Sequence, residues 1–259
     1  MVTQFLTLLI SFTLLLFSFP NPALADGDGE VTFAVYGDIP YNVTMPDGRT
    51  DGQILAEDIA PEIRRRDDLP FVIHVGDLGR PDNACSDTWL EKTKEFWEKE
   101  LVKPVFYTPG DNDWTDCDRP SVPEPTSELE RLEAVRRVFF SEEKNLPEEW
   151  KYKTQHELPE NAMWWDEDVI FVTQHFVSTD NGRTEILQDD PVDVIPLVDE
   201  RDRLNHKWLN HAFKKAKKKD AAAVVVATQL DPFGPQQGSE TPMDRCMGNL
   251  AYQGFCAHL

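Results

Sequence analysis

Three strand-like segments of the chain each end on glycine followed by aspartate. They read FAVYGDIPY, FVIHVGDLG and PVFYTPGDNDW, and their aspartates are Asp38, Asp77 and Asp111. Between them, residues 51–66 and 87–101 carry apolar side chains at helical spacing. This alternation predicts βαβ units and a parallel sheet, so the fold class is α/β. We expect the three carboxylates at the carboxyl ends of the strands, where such sheets bind ligands.

Four later segments are also predicted as regular elements. They are helices over residues 127–140 and 200–218 and strands over residues 169–177 and 221–228. The first of these helices has Ser127 and Glu130 in the pattern of a capping box. Beyond Pro232 the periodicity fades, and the sequence predicts loop with at most one short element.

The N-terminal residues predict an export signal. An uncharged apolar run is followed by two prolines and an Ala-Leu-Ala triplet ending at Ala25, which is typical of a signal peptide over residues 1–25. An uncleaved membrane anchor is the alternative, because no Lys or Arg precedes the run. We therefore expect a secreted protein, extracellular or periplasmic, with one domain over residues 26–259 and no membrane contact after cleavage. Export also makes Asn42, in an Asn-Val-Thr triplet, a candidate glycosylation site.

The charge balance excludes one class of partner. The chain carries 26 basic and 47 acidic residues, a formal net charge of −21. Such a surface repels nucleic acid and anionic lipid, so we expect no nucleic-acid partner. Acidity alone does not indicate a metal site, because it also serves solubility.

The chain has four cysteines, and an exported protein can oxidise them. Cys85 and Cys117 each follow one of the Gly-Asp turns by a few residues. A disulfide between them would tie two neighbouring loops at one edge of the sheet. Free buried thiols are the alternative.

Three converging carboxylates have a chemical consequence. They repel one another and raise one another's pKa unless a cation neutralises them. Carboxylate oxygens suit Mg, Ca, Mn or Fe better than metals that prefer soft ligands. The glycine before each aspartate permits a sharp turn and a close backbone approach. The alternative is that each aspartate only caps the turn or helix that follows it.

The Gly-Asp motifs, together with VIFVTQHFVSTDNG, NHKWLNHAF and VVVATQLDPF, resemble the calcineurin-like metallophosphoesterases over about residues 31–233. The resemblance implies a four-layer α/β/β/α sandwich that holds two metal ions. It also implies that a metal-bound hydroxide attacks a phosphate ester. The implied partner is a small phosphorylated substrate, and the implied cofactors are divalent ions: Mn, Fe, Zn, Mg or Ca.

The family's site residues carry over one position at a time. The resemblance makes Asp38, Asp77 and Asp111 metal ligands, and Gln229 stands where a histidine ligand is expected. Asn112 occupies the catalytic position of the proton-donating histidine.

Further positions are candidates for substrate contact or for support of the ligands. They are Asp113, Asp231 and His175. The aromatic residues Tyr41 and Trp114 either line a substrate cleft or pack under loops, and packing is the favoured interpretation.

The chain also departs from the family pattern. Pro40 and Arg80 replace a histidine and an acidic residue, and the closing Gly-His-x-His motif does not occur. Loss of a proton donor typically lowers the rate by about two to four orders of magnitude. The sequence thus predicts metal-dependent hydrolysis of a phosphate ester. The alternatives are a catalytically weak or inactive binding protein, or a truncated gene product whose domain lacks its C-terminal part.

Overall fold

The structure, a computed structural model, describes residues 30–233 and 241–257. The predicted signal peptide over residues 1–25 lies outside these ranges. Within them, no helix is both long enough and apolar enough to cross a membrane.

The first sheet contains the three strands that precede the Gly-Asp pairs. They are β1 (Ala34–Tyr36), β2 (Val72–His74) and β3 (Val105–Tyr107), all parallel and in the order β1-β2-β3. The register places Tyr36 beside His74 and His74 beside Tyr107, so the three strands end at the same level. This confirms the predicted parallel sheet and brings the Gly-Asp turns to one edge.

The second sheet has four strands. They are β4 (Lys153–Thr154), β5 (Ala162–Asp166), β6 (Val169–Thr173) and β7 (Ala223–Ala227). Strands β4, β5 and β6 pair antiparallel, whereas β6 and β7 pair parallel. Strands β4 and β5 were not predicted. The sequence AMWWD of β5 is short and does not alternate between apolar and polar residues, so periodicity does not reveal it.

The described helices flank these sheets. They are α1 (Asp51–Ile54), α2 (Ala60–Arg65), α3 (Pro81–Ala84), α4 (Asp87–Phe96), α5 (Glu128–Phe139), α6 (Ser178–Gly182), α7 (Pro191–Lys219), α8 (Pro242–Gly248) and α9 (Gln253–Cys256). Wider π-helical turns join α1 to α2 over Leu55–Ile59 and extend α4 over Trp97–Leu101. Short 3₁₀ turns lie at Asp111–Asp113, Thr115–Asp118 and Glu148–Trp150.

Local sequence explains where the main helices begin. The hydroxyl of Ser127 accepts a hydrogen bond from the backbone N–H of Glu130, so Ser127 caps α5 as predicted. Helix α7 begins at Pro191, well before the predicted start at residue 200. The Asp190 carboxylate caps it, and a proline in the first helical position loses no hydrogen bond. Sequence analysis started the helix too late because Pro196 lies inside it.

The two sheets pack face to face through aromatic side chains. The rings of Phe106 and Trp164 stack with their centroids 3.6 Å apart, and Phe71 packs edge-on against Phe171 at 5.0 Å. The outer face of the first sheet is covered by α2, α4 and α5, and α7 covers the second sheet. The order of layers is α/β/β/α, which confirms the predicted four-layer sandwich.

Two disulfides join the four cysteines. Cys85 pairs with Cys117, as predicted, and Cys246 pairs with Cys256. The first bridge ties the end of α3 to the 3₁₀ turn that follows the third Gly-Asp pair.

Candidate functional site

The three Gly-Asp carboxylates meet where the strands of the first sheet end. Asp38 and Asp77 have left-handed backbone conformations, with φ of 56° and 57°. The backbone N–H of Asp38 donates to the carbonyl of Gly76 at 3.2 Å, which couples the first turn to the second. Left-handed residues other than glycine are uncommon and cluster at functional sites. The turns thus hold their aspartates in a conformation that a simple strand end does not need.

A tyrosine hydroxyl joins two of the carboxylates. The hydroxyl of Tyr41 lies 2.7 Å from Oδ2 of Asp77 and 3.1 Å from Oδ1 of Asp38. It also accepts a hydrogen bond from Nδ2 of Asn112 at 3.0 Å. The second donor hydrogen of that amide goes to the carbonyl of Gly79 at 3.1 Å. Both hydrogens of the Asn112 amide are therefore engaged, one by the Tyr41 hydroxyl and one by the Gly79 carbonyl.

A glutamine amide links the second and third carboxylates. Nε2 of Gln229 donates to Oδ1 of Asp111 at 3.0 Å and lies 3.5 Å from Oδ1 of Asp77. Its Oε1 accepts the backbone N–H of Ser178 at 2.9 Å. The predicted role of Gln229 as a metal ligand needs the opposite orientation of the amide. That orientation would remove the acceptor of the Ser178 N–H.

The loop after β6 supplies two hydroxyl groups to Asp111. Ser178 donates to Oδ2 of Asp111, and the Thr179 hydroxyl donates to the same oxygen at 3.1 Å. Thr179, Asp180 and Asn181 are consecutive left-handed residues, with φ of 56°, 51° and 59°. Each left-handed residue costs about 1–2 kcal/mol. Backbone strain in α6 therefore accompanies the placement of the Ser178 and Thr179 hydroxyls against Asp111.

Asp113 stabilises the backbone turns that carry the candidate site. It is fully buried, and its Oδ2 accepts from the N–H of Asp77 at 3.0 Å, the N–H of Gly110 at 2.7 Å and the hydroxyl of Tyr107 at 2.7 Å. Its Oδ1 accepts from the N–H of Leu78 at 2.7 Å. Burial raises the pKa of Asp113 to about 6, although these donors act to lower it. The side chain thus fixes the second Gly-Asp turn to the third.

The glycines permit this close approach. A Cβ atom on Gly110 would lie 1.9 Å from Oδ1 of Asp77, closer than any side chain allows. A Cβ atom on Gly76 would lie 2.7 Å from the backbone N of Gly110, and Gly76 has φ of +98°. Two of the repeated glycines are therefore required because the turns touch each other.

The electrostatics of the site favour a cation. Burial raises the pKa of Asp77 to about 9, with further increases from the carboxylates of Asp113, Asp111 and Asp38. A carboxylate in this position is costly to ionise unless positive charge lies close to it. A hard divalent cation relieves that cost, and carboxylate oxygens are the ligands that such ions prefer.

The candidate cation ligands at this site are the carboxylates of Asp38, Asp77 and Asp111. Among residues 30–233 and 241–257, no group of three or more His, Cys, Asp or Glu side chains forms a metal site. The oxygens of Asp77 and Asp111 face each other across Gln229, and Asp38 lies on the far side of the Tyr41 hydroxyl. No imidazole joins this set in the described hydrogen bonds.

A comparison with protein families assigns the chain. The sequence model for calcineurin-like phosphoesterases matches residues 31–254. The chain belongs to the calcineurin-like phosphoesterase family. No curated protein and no solved structure gives a match. Members of the family hydrolyse phosphate esters and generally use divalent metals. Membership confirms the resemblance drawn from the Gly-Asp motifs.

Two of the supporting candidates, His175 and Asp231, form hydrogen bonds with other residues. His175 is fully buried, its Nδ1 lies 2.8 Å from Oε1 of Glu160, and its ring packs against Trp114. Burial lowers the pKa of His175 to about 4. Asp231 is exposed after β7, where it accepts the backbone N–H of Phe233. Their roles in substrate contact or in support of the ligands stay predictions.

Several residues of this candidate site were not predicted. Tyr41 was interpreted mainly as packing, and Ser178 and Thr179 were not singled out. The signal for Tyr41 is its place three residues after Asp38 in GDIPY, within reach of a carboxylate. Arg80 adds positive charge at the rim, since its Nε donates to the carbonyl of Tyr41 at 3.2 Å.

The glycosylation candidate Asn42 lies beside the site loop. It is exposed and left-handed, with φ of 57°. The position is open to modification, and glycosylation stays a prediction.

Proposed function

We propose that the protein hydrolyses the phosphate ester of a small molecule with the help of a hard divalent cation. Asp77 and Asp111 would hold the cation, and Asp38 would add negative charge beside it. The proposal rests on one observation: three carboxylates from the three Gly-Asp turns converge at one edge of the sheet. Family membership supports the same reaction class.

Each residue of the site has a distinct task in this proposal. A bound divalent cation would supply the positive charge that activates water and stabilises charge on the phosphoryl group. The hydroxyls of Ser178 and Thr179 hold Asp111 in place, and Tyr41 holds Asp77. Arg80, exposed at the rim, can bind a phosphate oxygen, because guanidinium groups pair well with phosphate.

Asn112 does not supply a proton to the departing group. An asparagine amide does not give up a proton, and both hydrogens of Asn112 Nδ2 are engaged by Tyr41 and Gly79. The reaction therefore depends on leaving groups that are stable as anions. We expect aryl phosphates to react much faster than alkyl phosphates.

The test uses the mature chain from residue 26 with Mg, Mn, Ca, Fe or Zn added. Hydrolysis of an aryl phosphate monoester and diester is measured for the parent and for Asp77→Asn. We expect the substitution to lower kcat at least about a hundredfold, whereas Asp82→Asn, an exposed aspartate after the second turn, leaves it unchanged. Absence of hydrolysis with every metal would refute the proposal.

A second candidate is a binding protein that retains the fold without turnover. The observation that favours it is the set of protein donors already bonded to the carboxylates, namely Tyr41, Asn112, Gln229, Ser178 and Thr179. Such a protein would bind a non-hydrolysable aryl phosphonate in calorimetry and release no product from the matching phosphate ester.

Export is part of the proposal. The predicted signal peptide and the two disulfides both suit an oxidising compartment outside the cytoplasm. Mass spectrometry of the exported protein should give an N-terminus at Asp26. A chain that keeps residues 1–25 and stays with the membrane would favour the anchor instead.

A further inference from the structure

A second cleft lies between strand β4 and helix α7, outside the carboxylate site. Its volume is about 530 Å³. The side chains that matter for its chemistry are His156, Lys207, Trp208, Asn210, His211 and Lys214. Four of these six are basic, whereas the chain as a whole has a formal net charge of −21.

The lysines at this cleft have no close carboxylate partner within the part of the chain that the structure describes. Lys207 and Lys214 line it, and Lys153 and Lys215 lie beside it. Within the described ranges, none of these four lysines forms an ion pair. The pKa of His211 is lowered by partial burial and by repulsion from Lys215, Lys153 and Lys214. The cations therefore face one another and solvent in a chain rich in carboxylates.

A solvated helix end does not explain this arrangement. Lys217, Lys218 and Lys219 lie in the last turn of α7, where they stabilise the helix dipole. Lys207 and Lys214 lie one or more turns earlier, and Lys153 belongs to a strand. A helix and a strand thus bring lysines without ion pairs to one concave surface, where the single acidic lining residue is Glu157.

The remaining lining groups suit a sugar ring. The indole of Trp208 is half-buried, anchored by its Nε1 to the carbonyl of Ala162 at 3.4 Å, and lies nearly parallel to the His211 ring. Asn210 and Thr154 present an exposed amide and an exposed hydroxyl. Aromatic faces pack against apolar faces of a ligand, while amides and hydroxyls pair with its hydroxyl groups.

We propose that this cleft binds an acidic saccharide, one that carries sulfate or carboxylate groups. The lysines bind the anionic groups, and Trp208 and Asn210 contact the sugar. A long nucleic acid is a poorer partner, because the rest of the acidic surface repels an extended polyanion. The ligand is a short saccharide, because the acidic remainder of the surface repels an extended acidic polysaccharide as it does a nucleic acid.

The test measures calorimetric binding of short dextran sulfate chains to the mature protein, with neutral dextran of the same length as the control ligand. The variant Lys207→Glu/Lys214→Glu changes two exposed residues of the cleft. We expect it to weaken binding at least about tenfold. The matched variant Lys217→Glu/Lys218→Glu makes the same charge change at the helix end and should weaken binding less than about threefold.

Two further ligands separate a saccharide site from general attraction to anions. They are polyvinyl sulfate and a single-stranded oligonucleotide, each matched in charge to the dextran sulfate. We expect both to bind at least about tenfold more weakly than dextran sulfate, because neither offers a sugar ring bearing sulfate groups. Equal binding of all three, equal losses in the two double variants, or no binding of dextran sulfate would overturn the proposal.

Discussion

At the scale of single residues, two aspartates that are close in the sequence, Asp111 and Asp113, have different roles. Asp111 receives hydroxyl and amide donors at the open side of the site, whereas Asp113, two residues later, receives backbone donors inside the protein. The difference arises because the 3₁₀ turn Asp111–Asp113 points them in different directions. In the proposed function Asp111 would bind the cation, whereas Asp113 maintains the turns.

We expect Asp113→Asn to lower the free energy of unfolding by about 2–4 kcal/mol. An amide NH₂ would replace one acceptor oxygen and face N–H groups, which leaves buried donors unpaired. Urea denaturation measures the loss, and the exposed Asp82→Asn is the control. A change below about 0.5 kcal/mol would contradict the supporting role of Asp113.

The buried carboxyl group of Glu128 should make the stability of the protein depend on pH. It is fully buried, and burial with the nearby Asp118 and Asp189 carboxylates raises its pKa to about 9 from an ordinary 4.5. Between these values the folded chain holds a proton that the unfolded chain releases. Stability contributed by this group is therefore lost as the pH rises from about 4.5 to 9.

Removing that ionisation should stabilise the protein in alkaline solution. We expect Glu128→Gln to raise the free energy of unfolding by about 1–3 kcal/mol at pH 8 and to have little effect at pH 4. Denaturation across the pH range measures this. The exposed Glu130→Gln, on the same helix, should show no such pH dependence.

The convergence of the three aspartates was predictable from the sequence, whereas the side chains that hydrogen-bond to them were not. The Gly-Asp repeats predict convergence because parallel strands end together, and that depends only on order and spacing. The bonds from Tyr41 and Gln229 depend on side-chain conformations across more than 30 residues of sequence, which no local pattern encodes. The sequence around Tyr41 is compatible both with packing and with a hydrogen bond to a carboxylate. Its role could therefore not be predicted from the sequence.

At the scale of elements, the disulfide Cys85–Cys117 joins a helix end to the site loop. The carbonyl of Asn112 lies 3.6 Å from Sγ of Cys85 and 3.7 Å from Sγ of Cys117. The bridge closes a segment that contains α4 and β3. It therefore limits how far the loop carrying Asn112 can move.

Replacing both cysteines of this bridge by alanine should cost about 3–4 kcal/mol of stability, since the sequence separation is 32 residues. The corresponding change at Cys246 and Cys256, separated by 10 residues, should cost about 1 kcal/mol less. Thermal unfolding in the absence of reductant compares the two. Equal losses would show that loop length does not govern the effect.

The elements themselves were predictable to different degrees. Strand β3 was found with its bounds, because Val105–Tyr107 is apolar and flanked by proline and glycine. Helices α8 and α9 were not predicted as separate elements. Both are short, and a disulfide joins them. Short elements held by covalent links need little periodicity, so sequence patterns carry little information about them.

At the scale of the whole molecule, the excess of negative charge and the carboxylate site should respond to cations in different ways. Sodium chloride screens general repulsion, whereas a specific divalent ion binds the folded state only. We expect Mn²⁺ or Mg²⁺ at about a hundred times its Kd to raise the free energy of unfolding by about 2.7 kcal/mol.

Calorimetry at constant ionic strength measures this gain. Asp77→Asn should abolish the specific part and leave the response to sodium chloride intact. If divalent ions stabilise the parent and Asp77→Asn equally, the cation is not bound at the site.

The hydrogen bonds to Asp113 have a consequence for local motion. The backbone N–H groups of Asp77, Leu78 and Gly110 lie in turns, where amide hydrogens commonly exchange quickly with solvent. Here a single buried carboxylate accepts all three. These amides should exchange together and as slowly as those of the strands, so the binding edge of the sheet opens only when the domain unfolds.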